Sequence, residues 1–481
     1  MSLNDVSAML DAAVKGHGGA RAVVDRATRG AQARAELELD DDDSSPTAPA
    51  GSEDALALQM VDLHVDDIKI TPGLGWMIAT PDKWVRDDSM RVYDLARQVA
   101  RRAGNSAEKT AERRALASAK TVNSIVSLAR TDARVVLPAS AWDRDPWALN
   151  TPSGIVDLRT GQRTDRGATD FVTQCSRVTP CSASDCPTWL RFLSEVFIGD
   201  AEQIEFIQRL IGYTLTADRR EQKLFFMYGL GSNGKSTLWD FVLWMVGTYA
   251  LKLPSQVLMD AKTQGHPTEL AQLRGRRLAI SSELEEGQYW AEARIKELTG
   301  DEVLTARFMR QDFFEFGMTQ KHVIVGNYKP RLKGGDAALA RRFVLVPFMA
   351  KFAGSKRDLN MMSRLRAEAP AVLAWAVRGA VKWYAEGLAI PSSVSAASAA
   401  YMGENDDLSL WLDECCSTHA AATGQAATLY GHYVNWVKAR GQHAPSQRVW
   451  ADRLGAVPGI TKRKSDGRML YQGVGLLARE D

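Results

Sequence analysis

The residue types best suited to chemistry lie in the stretch GLGSNGKST at positions 229–237. It fits the pattern G-x-x-x-x-G-K-[ST], in which a glycine-rich loop wraps around the phosphates of a nucleotide. Glycine has no Cβ, so the backbone can approach phosphate oxygens closely, and the N–H groups of the following helix point at them. Lys235 is expected to reach the β- and γ-phosphates of ATP, and Ser236 to hold Mg²⁺. The predicted nucleotide-binding residues are Gly229, Gly231, Ser232, Asn233, Gly234, Lys235, Ser236 and Thr237.

The sequence around this motif has the strand–loop–helix context that the motif needs. An apolar run precedes it at 224–228, and apolar residues follow at helical spacing over 238–244. Strands and helices alternate from 222 to 350, which indicates an α/β domain with a parallel sheet and the motif at a strand's carboxyl end. We therefore expect a P-loop, AAA+-like ATPase core.

We expect a nearby acidic residue that helps to bind Mg²⁺ and polarises the attacking water. Leu278 to Ser281 read as a buried strand, and Glu283 follows at its end. Glu283 is the first choice for the magnesium-side or water-activating carboxylate, and Glu285 is the second. Glu286 is assigned to an exposed acidic turn.

Two further groups complete the predicted catalytic set. Asn327 ends the apolar stretch HVIVGN, where an amide can orient water and sense the γ-phosphate. Arg341 and Arg342 precede the apolar run FVLVPF. Paired arginines are often only surface charge, but in a ring ATPase one can enter the neighbouring subunit's site and stabilise charge on the transferred phosphate. We favour Arg342 slightly for that role.

Candidate DNA contacts come from two places. Residues 303–316 fit a hairpin with a tip near Arg310, so Lys296, Arg307 and Arg310 could contact a DNA backbone in a ring channel, although a charged hairpin tip can be merely solvated. The tail from Thr428 reads helix, helix, hairpin, the order of a winged helix-turn-helix. Such a module can bind duplex DNA or protein. Its candidate DNA-binding residues are Arg448 and Arg453 on the second helix and Lys462, Arg463, Lys464 and Arg468 on the wing.

Composition allows several domains and does not by itself point to a partner. The 481 residues include 60 basic and 58 acidic side chains, and the five cysteines are too few and too scattered for a disulfide framework. No apolar run reaches membrane-spanning length, so we expect no membrane partner, and the few scattered cysteines favour a location in a reducing cytoplasm.

Changes in composition along the chain suggest five segments. The expected segments are a helical leader with an acidic linker (1–54), a mixed α/β N-terminal domain (55–205), the ATPase domain (206–352), a helical region with a Ser/Ala-rich connector at 391–400 (353–422), and the winged helix (423–481).

From about Asp54 to Phe348 the sequence resembles the helicase portion of phage and plasmid primase-helicases, which belong to superfamily III. The strings that carry the resemblance, in order, are KWVRDD, WALNTPSGIVDLRTG, CPTWLRFLSEVF, LIGYTLTADRREQKLFFMYGLGSNGKST, LAISSELEEG, KELTGDEVLTARF and VIVGNYKPRLKGGDAALARRFVLVPF. The resemblance implies an ATP-driven homo-hexameric ring that moves 3′-to-5′ on single-stranded DNA. It places Lys235 and Ser236 on Walker A, Glu283 on Walker B, Asn327 on the sensor, and Arg341 and Arg342 in the arginine-finger region.

The sequence departs from the family at its N-terminus. Many relatives carry a priming domain there, whereas the residues before Asp54 lack an acidic metal triad in a folded context. We expect no primase activity from this chain, and therefore a separate primase or the host's. The main alternative to a helicase is an ATP-switched initiator or loader that binds an origin without processive unwinding. A DNA-packaging motor is disfavoured because no nuclease-like cluster of carboxylates is evident.

Overall fold

The structure is a computed structural model. It describes residues 47–167, 169–182, 185–260, 267–309, 313–332, 337–352, 358–404, 406–440, 444–465 and 467–477. The predicted leader and most of the acidic linker, at residues 1–46, lie outside these ranges. The chain divides into two compact units, one of residues up to Met60 with Ala96–Ala129, the other of Val61–Leu95 with Arg130–Asp481.

The smaller unit is helical where it is described. Its residues come from the helices α1 (Glu53–His64), α2 (Arg91–Ser106), α3 (Thr110–Leu116) and α4 (Ala119–Ala129). On α4 the buried residues Val122, Ile125, Val126 and Ala129 recur at spacings of three and four, which is one face of a helix.

Two small antiparallel sheets open the larger unit. The first is β1 (Ile68–Thr71), β2 (Gly75–Ala79) and β3 (Trp84–Arg86), and the second is β4 (Ala148–Thr151), β5 (Gly154–Asp157) and β6 (Arg163–Thr164). The indole of Trp84 packs against Trp142 with 5.6 Å between ring centroids, which anchors the first sheet.

Two helices, α5 (Pro187–Val196) and α6 (Ala201–Leu215), lead into the main sheet. Asp200 caps α6, because its carboxylate accepts a hydrogen bond from the Gln203 N–H. A later helix, α12 (Ala369–Glu386), packs closely on α6. A Cβ at Gly212 would lie 2.1 Å from the Ala380 nitrogen, so only glycine allows this approach.

The centre of the larger unit is a five-stranded parallel sheet, as the sequence predicts. Its strands are β7 (Leu224–Tyr228), β8 (Ala250–Lys252), β9 (Leu278–Ser282), β12 (Lys321–Gly326) and β13 (Phe343–Pro347). Their spatial order is β13-β7-β12-β9-β8. The central strands are apolar and buried almost throughout, as expected where both faces of a sheet are covered.

The register brings three strand ends together. Gly326 at the end of β12 pairs with Tyr228 at the end of β7, and Val325 pairs with Ser282 at the end of β9. The helices that connect or flank these strands are α7 (Lys235–Met245), α8 (Pro267–Ala271), α9 (Glu292–Gly300) and α10 (Ala337–Ala340). The predicted hairpin is present as β10 (Val303–Ala306) and β11 (Phe314–Gly317), paired antiparallel.

The segment expected to be a connector at 391–400 is instead helical, so that prediction is wrong. After α11 (Met361–Ala367) and α12, the helix α13 (Ser392–Glu404) packs on β13. Val394 and Tyr401 are buried there, and the Ser398 hydroxyl accepts a hydrogen bond of 2.9 Å from the Leu345 N–H. The helix covers the outer edge of the sheet, which an exposed strand would otherwise leave open to pairing.

The C-terminal module has its own aromatic core. Its elements are α14 (Asp407–Cys415), β14 (Cys416–Ser417), β15 (Thr423–Gln425), α15 (Ala426–Ala439), α16 (Gln447–Gly455), β16 (Thr461–Ser465), β17 (Arg468–Gln472) and β18 (Gly475–Leu476). Trp411, Tyr433, Trp450 and Tyr471 fill the core. Because Trp411 lies on α14, the packed core includes residues before position 423, the expected start of this module.

Candidate functional site

The glycine-rich loop lies between the end of β7 and the start of α7, and its backbone takes conformations that favour glycine. Gly231 and Gly234 have φ of 98° and 85°, and Ser232 between them has φ of 49°. A Cβ at Gly234 would lie 2.6 Å from Cγ2 of Val196 on α5. At Gly229, a Cβ would lie 2.5 Å from the Phe348 carbonyl oxygen. Backbone angle and available space therefore both favour glycine in this loop.

Lys235 is the first residue of α7, and its ammonium group is turned back into the loop. Its Nζ donates to the Gly229 carbonyl (2.8 Å), to Oδ1 of Asn233 (2.9 Å) and to Oδ1 of Asn327 (3.0 Å). Burial lowers the pKa of this lysine to about 8. The three acceptors are neutral oxygens, so the cation has no carboxylate partner among these hydrogen bonds.

The other two predicted groups follow neighbouring strands. Asn327 comes directly after β12 and Glu283 directly after β9. Since β12 lies between β7 and β9, Asn327 stands between the loop that carries Lys235 and the acid. Lys235, Ser236, Glu283 and Asn327 line a common cavity of about 290 Å³. The structure therefore brings together the residues assigned to phosphate, metal, acid and sensor roles.

Glu283 has an uncommon backbone conformation. Its φ is 66°, in the left-handed region that is unfavourable for a side chain with a Cβ. Non-glycine residues held in this region cluster at functional sites. Its carbonyl accepts a 3.4 Å hydrogen bond from the Ser255 hydroxyl. Glu285 lies beside the same strand end and lines an adjoining cavity with Glu283.

A larger cleft of about 810 Å³ opens from the same loop. The loop residues from Gly231 to Thr237 line it, together with Asn327. Its further walls come from α5, through Phe192 and Glu195, and from α11, through Met361 and Met362. These walls combine apolar and polar groups beside a phosphate-type loop, which suits a ligand with a flat base and a charged tail.

The donor set fits magnesium. The Ser236 hydroxyl and the Glu283 carboxylate could supply oxygen ligands, since Mg²⁺ in nucleotide sites takes one or two protein oxygens, with waters and phosphates completing the shell. Among the described residues, no cluster of three or more His, Cys, Asp or Glu side chains suited to a metal occurs.

Sequence reasoning missed a charged pair in the smaller cavity. Asp240 lies four residues after Ser236 on α7, and its carboxylate pairs with the Lys252 ammonium at 3.0 Å. The four-residue spacing on one helix face was a usable signal for Asp240. Lys252 comes from the edge strand β8, and no local pattern connects it to the loop.

Arg341 and Arg342 lie at the opposite edge of the main sheet. They directly precede β13, whose first residue Phe343 pairs with Leu224 at the start of β7. They are therefore at the amino edge of the parallel sheet, whereas the glycine-rich loop is at its carboxyl edge. Neither arginine lines the cavities that contain Lys235.

The predicted DNA-contact residues of the hairpin are only partly described. Arg307 is exposed beyond β10, with its guanidinium 4.7 Å from the ring centroid of Phe313. Lys296 is half-buried on α9. Arg310 lies outside the described residues.

The basic residues of the C-terminal module fall into two groups. Lys462, Arg463 and Lys464 are all exposed on β16, and Arg468 is exposed at the start of β17, opposite Ser465. Arg448 is exposed near the start of α16, but Arg453 is paired with Asp406 at 2.8 Å. The hairpin thus presents a run of cations, whereas the α16 residues are divided between the surface and an internal ion pair.

Parts of this chain match two family models and two viral proteins. A family model described as D5 N terminal like matches residues 57–198, and a model for a family of unknown function (DUF5906) matches residues 227–342. The chain is similar to "Putative helicase L207/L206" of Acanthamoeba polyphaga mimivirus, with 23% identity over 228 residues, covering 46% of this chain and 24% of the relative. It is also similar to "Putative helicase 022R" of Frog virus 3 (isolate Goorha), with 25% identity over 301 residues, covering 57% of this chain and 30% of the relative.

Solved structures show the same fold. The apo C-terminal region (305–718) of NrS-1 aligns with a TM-score of 0.52 at 11% identity, covering 87% of this chain and 99% of that one. Its A form aligns with a TM-score of 0.50 at 10% identity, covering 87% of this chain and 100% of that one. The matched segments span about a quarter to a third of the curated relatives' length. Together these findings confirm the resemblance to superfamily III helicases that the sequence shows.

The described part of the chain contains no helix long and apolar enough to cross a membrane.

Proposed function

We propose that this chain is the ATP-hydrolysing motor of a replicative DNA helicase that works as a homo-hexameric ring on single-stranded DNA. The observation that carries the proposal is the convergence of Lys235, Asn327 and Glu283 at the carboxyl ends of three adjacent parallel strands. The names of the two viral relatives support a helicase in particular.

In this proposal, phosphate oxygens replace acceptors that the Lys235 ammonium has in the nucleotide-free loop. In the proposed mechanism the Lys235 ammonium leaves Oδ1 of Asn233 and of Asn327 and binds the β- and γ-phosphates of ATP. Ser236 and Glu283 would hold Mg²⁺, whose charge would offset that of the phosphate oxygens. The released Asn327 amide then orients the attacking water, and the Glu283 carboxylate accepts a hydrogen bond from that water.

The position of Arg341 and Arg342 supports nucleotide sites that are shared between two copies of this chain. An arginine at the amino edge of the sheet does not reach a nucleotide at the carboxyl edge of the same chain. In a closed ring, however, one subunit's amino edge can face its neighbour's glycine-rich loop. This arrangement is the AAA+-like assembly that we propose, with one arginine completing each site in trans.

The DNA contacts follow from the two basic features. We propose that the β10–β11 hairpin contacts single-stranded DNA in the ring channel through Lys296, Arg307 and Arg310, with 3′-to-5′ movement. The C-terminal module is proposed to be a winged helix-turn-helix. Its exposed β16–β17 hairpin would bind duplex DNA at an origin through sequence-independent phosphate contacts.

Unwinding of tailed duplex DNA tests the proposal directly. Wild-type protein is incubated with ATP and duplexes that carry either a 3′ or a 5′ single-stranded tail, while native mass spectrometry reports the assembly. We expect the hexamer to unwind the 3′-tailed duplex, and no unwinding by the Lys235→Ala variant. ATP-dependent assembly on duplex DNA without strand displacement would support the alternative, an origin-binding initiator or loader.

Charge removal on the wing tests the duplex-binding part separately. We expect Lys462→Ala, Arg463→Ala and Lys464→Ala together to weaken duplex binding. The slope of its salt dependence should flatten by about 0.9 for each phosphate that the protein no longer neutralises. DNA-stimulated ATP hydrolysis serves as the internal control, because these residues are remote from the glycine-rich loop in sequence. An equal decrease in both activities would mean that the module serves the assembly rather than duplex DNA.

A further inference from the structure

The two arginines before β13 differ in what their side chains do. The Arg342 guanidinium is half-buried and is used within the chain, because Nε donates to Oγ1 of Thr299 at 3.0 Å and Nη1 to the Ala338 carbonyl at 2.8 Å. Arg341 is exposed, and its main-chain carbonyl accepts a 2.6 Å hydrogen bond from Lys223 Nζ.

A third arginine holds the same helix end as Arg342. Arg219, in the segment before β7, donates from Nη2 to the Leu298 carbonyl and from Nη1 to the Asp301 carbonyl. The last carbonyls of a helix have no donor inside the helix and carry partial negative charge, so cationic donors stabilise them. We call Arg219 and Arg342 together the α9 clamp.

The α9 clamp connects the hairpin to the sheet. Shortly after α9 ends, β10 begins the hairpin, and the Met318 N–H donates to the Glu302 carbonyl at 2.8 Å to close its base. On the other side, the Leu224 N–H that starts β7 donates to the Arg342 carbonyl at 2.8 Å. The base of the hairpin is thus tied to the strand that leads to the glycine-rich loop and to the strand that Arg341 and Arg342 precede.

We propose that Arg341 is the residue that reaches the neighbouring subunit's nucleotide, and that Arg342 is a positioning residue that fixes the DNA-contacting hairpin through the end of α9. This inference rests on the proposed function. An arginine that acts across an interface must present its guanidinium at the surface, and Arg341 is exposed. Moving Arg342 outward would leave the buried Thr299 hydroxyl and the Ala338 carbonyl without this donor.

The division of roles also suggests how the sites communicate. If a nucleotide in the next subunit displaces Arg341, the backbone moves one residue away from Arg342. Arg342 would pass that displacement to the end of α9 and so to the hairpin. Hydrolysis and DNA contact are then coupled through a short path of hydrogen bonds and not through the whole sheet.

Four variants separate these roles: Arg341→Ala, Arg342→Ala, Arg342→Lys and Thr299→Val. For each, ATP turnover is measured with and without single-stranded DNA, alone and after mixing with Glu283→Gln subunits. We expect Arg341→Ala to lower turnover by about a thousandfold or more under both conditions, because the transition state no longer has this cation beside it. Mixing should restore activity, since Glu283→Gln subunits supply the missing arginine.

For Arg342→Ala the expected defect is in coupling. The stimulation of turnover by single-stranded DNA and the affinity for that DNA should fall by about 2- to 30-fold, and mixing should not restore them. Thr299→Val keeps the side-chain shape but removes the acceptor, so it should reproduce part of this defect. Arg342→Lys should lie between, because an ammonium lacks the planar fork with which Nε and Nη1 of the guanidinium reach the two acceptors.

The outcomes distinguish failure of this inference from failure of the proposed function. One pair of results, obtained with an active wild type, would reverse the assignment. In it, Arg342→Ala abolishes DNA-independent turnover and is rescued by mixing, whereas Arg341→Ala retains its turnover. If Arg342→Ala does not fold, normal DNA stimulation in both Thr299→Val and Arg342→Lys would overturn the positioning role. A wild type whose turnover ignores single-stranded DNA would refute the proposed function itself.

Discussion

Two buried lysines, Lys235 and Lys321, lie at opposite edges of the same pair of strands. Lys235 follows β7 at the carboxyl edge, and Lys321 begins the adjacent β12 at the amino edge. Burial lowers the pKa of both. Each Nζ donates to three oxygens, which for Lys321 are the main-chain carbonyls of Thr216, Asp218 and Thr319.

The difference between them lies in whether the acceptors can be exchanged. Two of the three acceptors of Lys235 are side-chain amides that can rotate away, and the lysine borders an open cleft. The acceptors of Lys321 are all fixed in the main chain, whereas exposure does not separate the two residues, at 3% for Lys235 and 2% for Lys321. Burial and a lowered pKa therefore do not identify a functional lysine. An exchangeable set of partners beside a cavity does.

The largest effect is expected from Lys235→Ala. Removing the cation that stabilises the transferred phosphate should lower ATP turnover by about 10²–10³-fold or more, with little change in the thermal unfolding midpoint. Turnover is measured by phosphate release. Turnover close to that of the wild type would remove Lys235 and its loop as the site.

Asn327→Ala probes the amide that hydrogen-bonds to Lys235. We expect a decrease in turnover of about 10²-fold, because the attacking water no longer has an orienting group, and a much smaller change in ADP affinity. Steady-state turnover and ADP titration on the same preparation separate the two effects. Equal decreases in both would make Asn327 a binding residue and not a sensor.

Lys321→Met is the structural counterpart. The variant leaves buried carbonyls without a donor, at a cost of about 1–3 kcal/mol in the free energy of unfolding. Urea denaturation measures this decrease. Nucleotide affinity of the folded protein should be unchanged, and a selective decrease in that affinity at wild-type stability would contradict the distinction between the two lysines.

The smallest effect is a pH dependence at Lys235. Its pKa in the free protein is about 8, against an ordinary value of 10.5, so the ammonium gives up its proton as pH rises through 8. ATP affinity should therefore be level below about pH 8 and fall above it. The nucleotide-free protein should gain stability between about pH 8 and 10.5, where the unfolded chain retains a proton that the folded chain has released. Lys235→Met should abolish both trends, which ATP titration and urea denaturation at a series of pH values would show.

The candidate nucleotide site was predictable because each of its parts is encoded locally. GLGSNGKST follows an apolar strand, and Glu283 and Asn327 each follow another, so the parallel sheet that the alternation predicts must bring them to one edge. The sequence also predicts the hairpin at 303–316, and its two strands pair as expected.

What the sequence did not predict depends on contacts between distant residues. Arg219 and Leu298, which meet in the α9 clamp, are 79 positions apart, and no periodicity links them. The helix α13 has small polar residues typical of a linker, and burial of Val394 and Tyr401 against the sheet stabilises it as a helix. Its Tyr401 hydroxyl accepts a 2.6 Å hydrogen bond from Trp290, which is 111 positions away in the sequence.

The most direct test of the central claim compares ATP binding and ATP turnover in wild type and Glu283→Gln with magnesium present. If the three strand ends form one hydrolytic site, the variant should bind ATP about as tightly as the wild type and hydrolyse it at least about 10²-fold more slowly. Undiminished turnover in Glu283→Gln would contradict the assignment of these strand ends as the hydrolytic site.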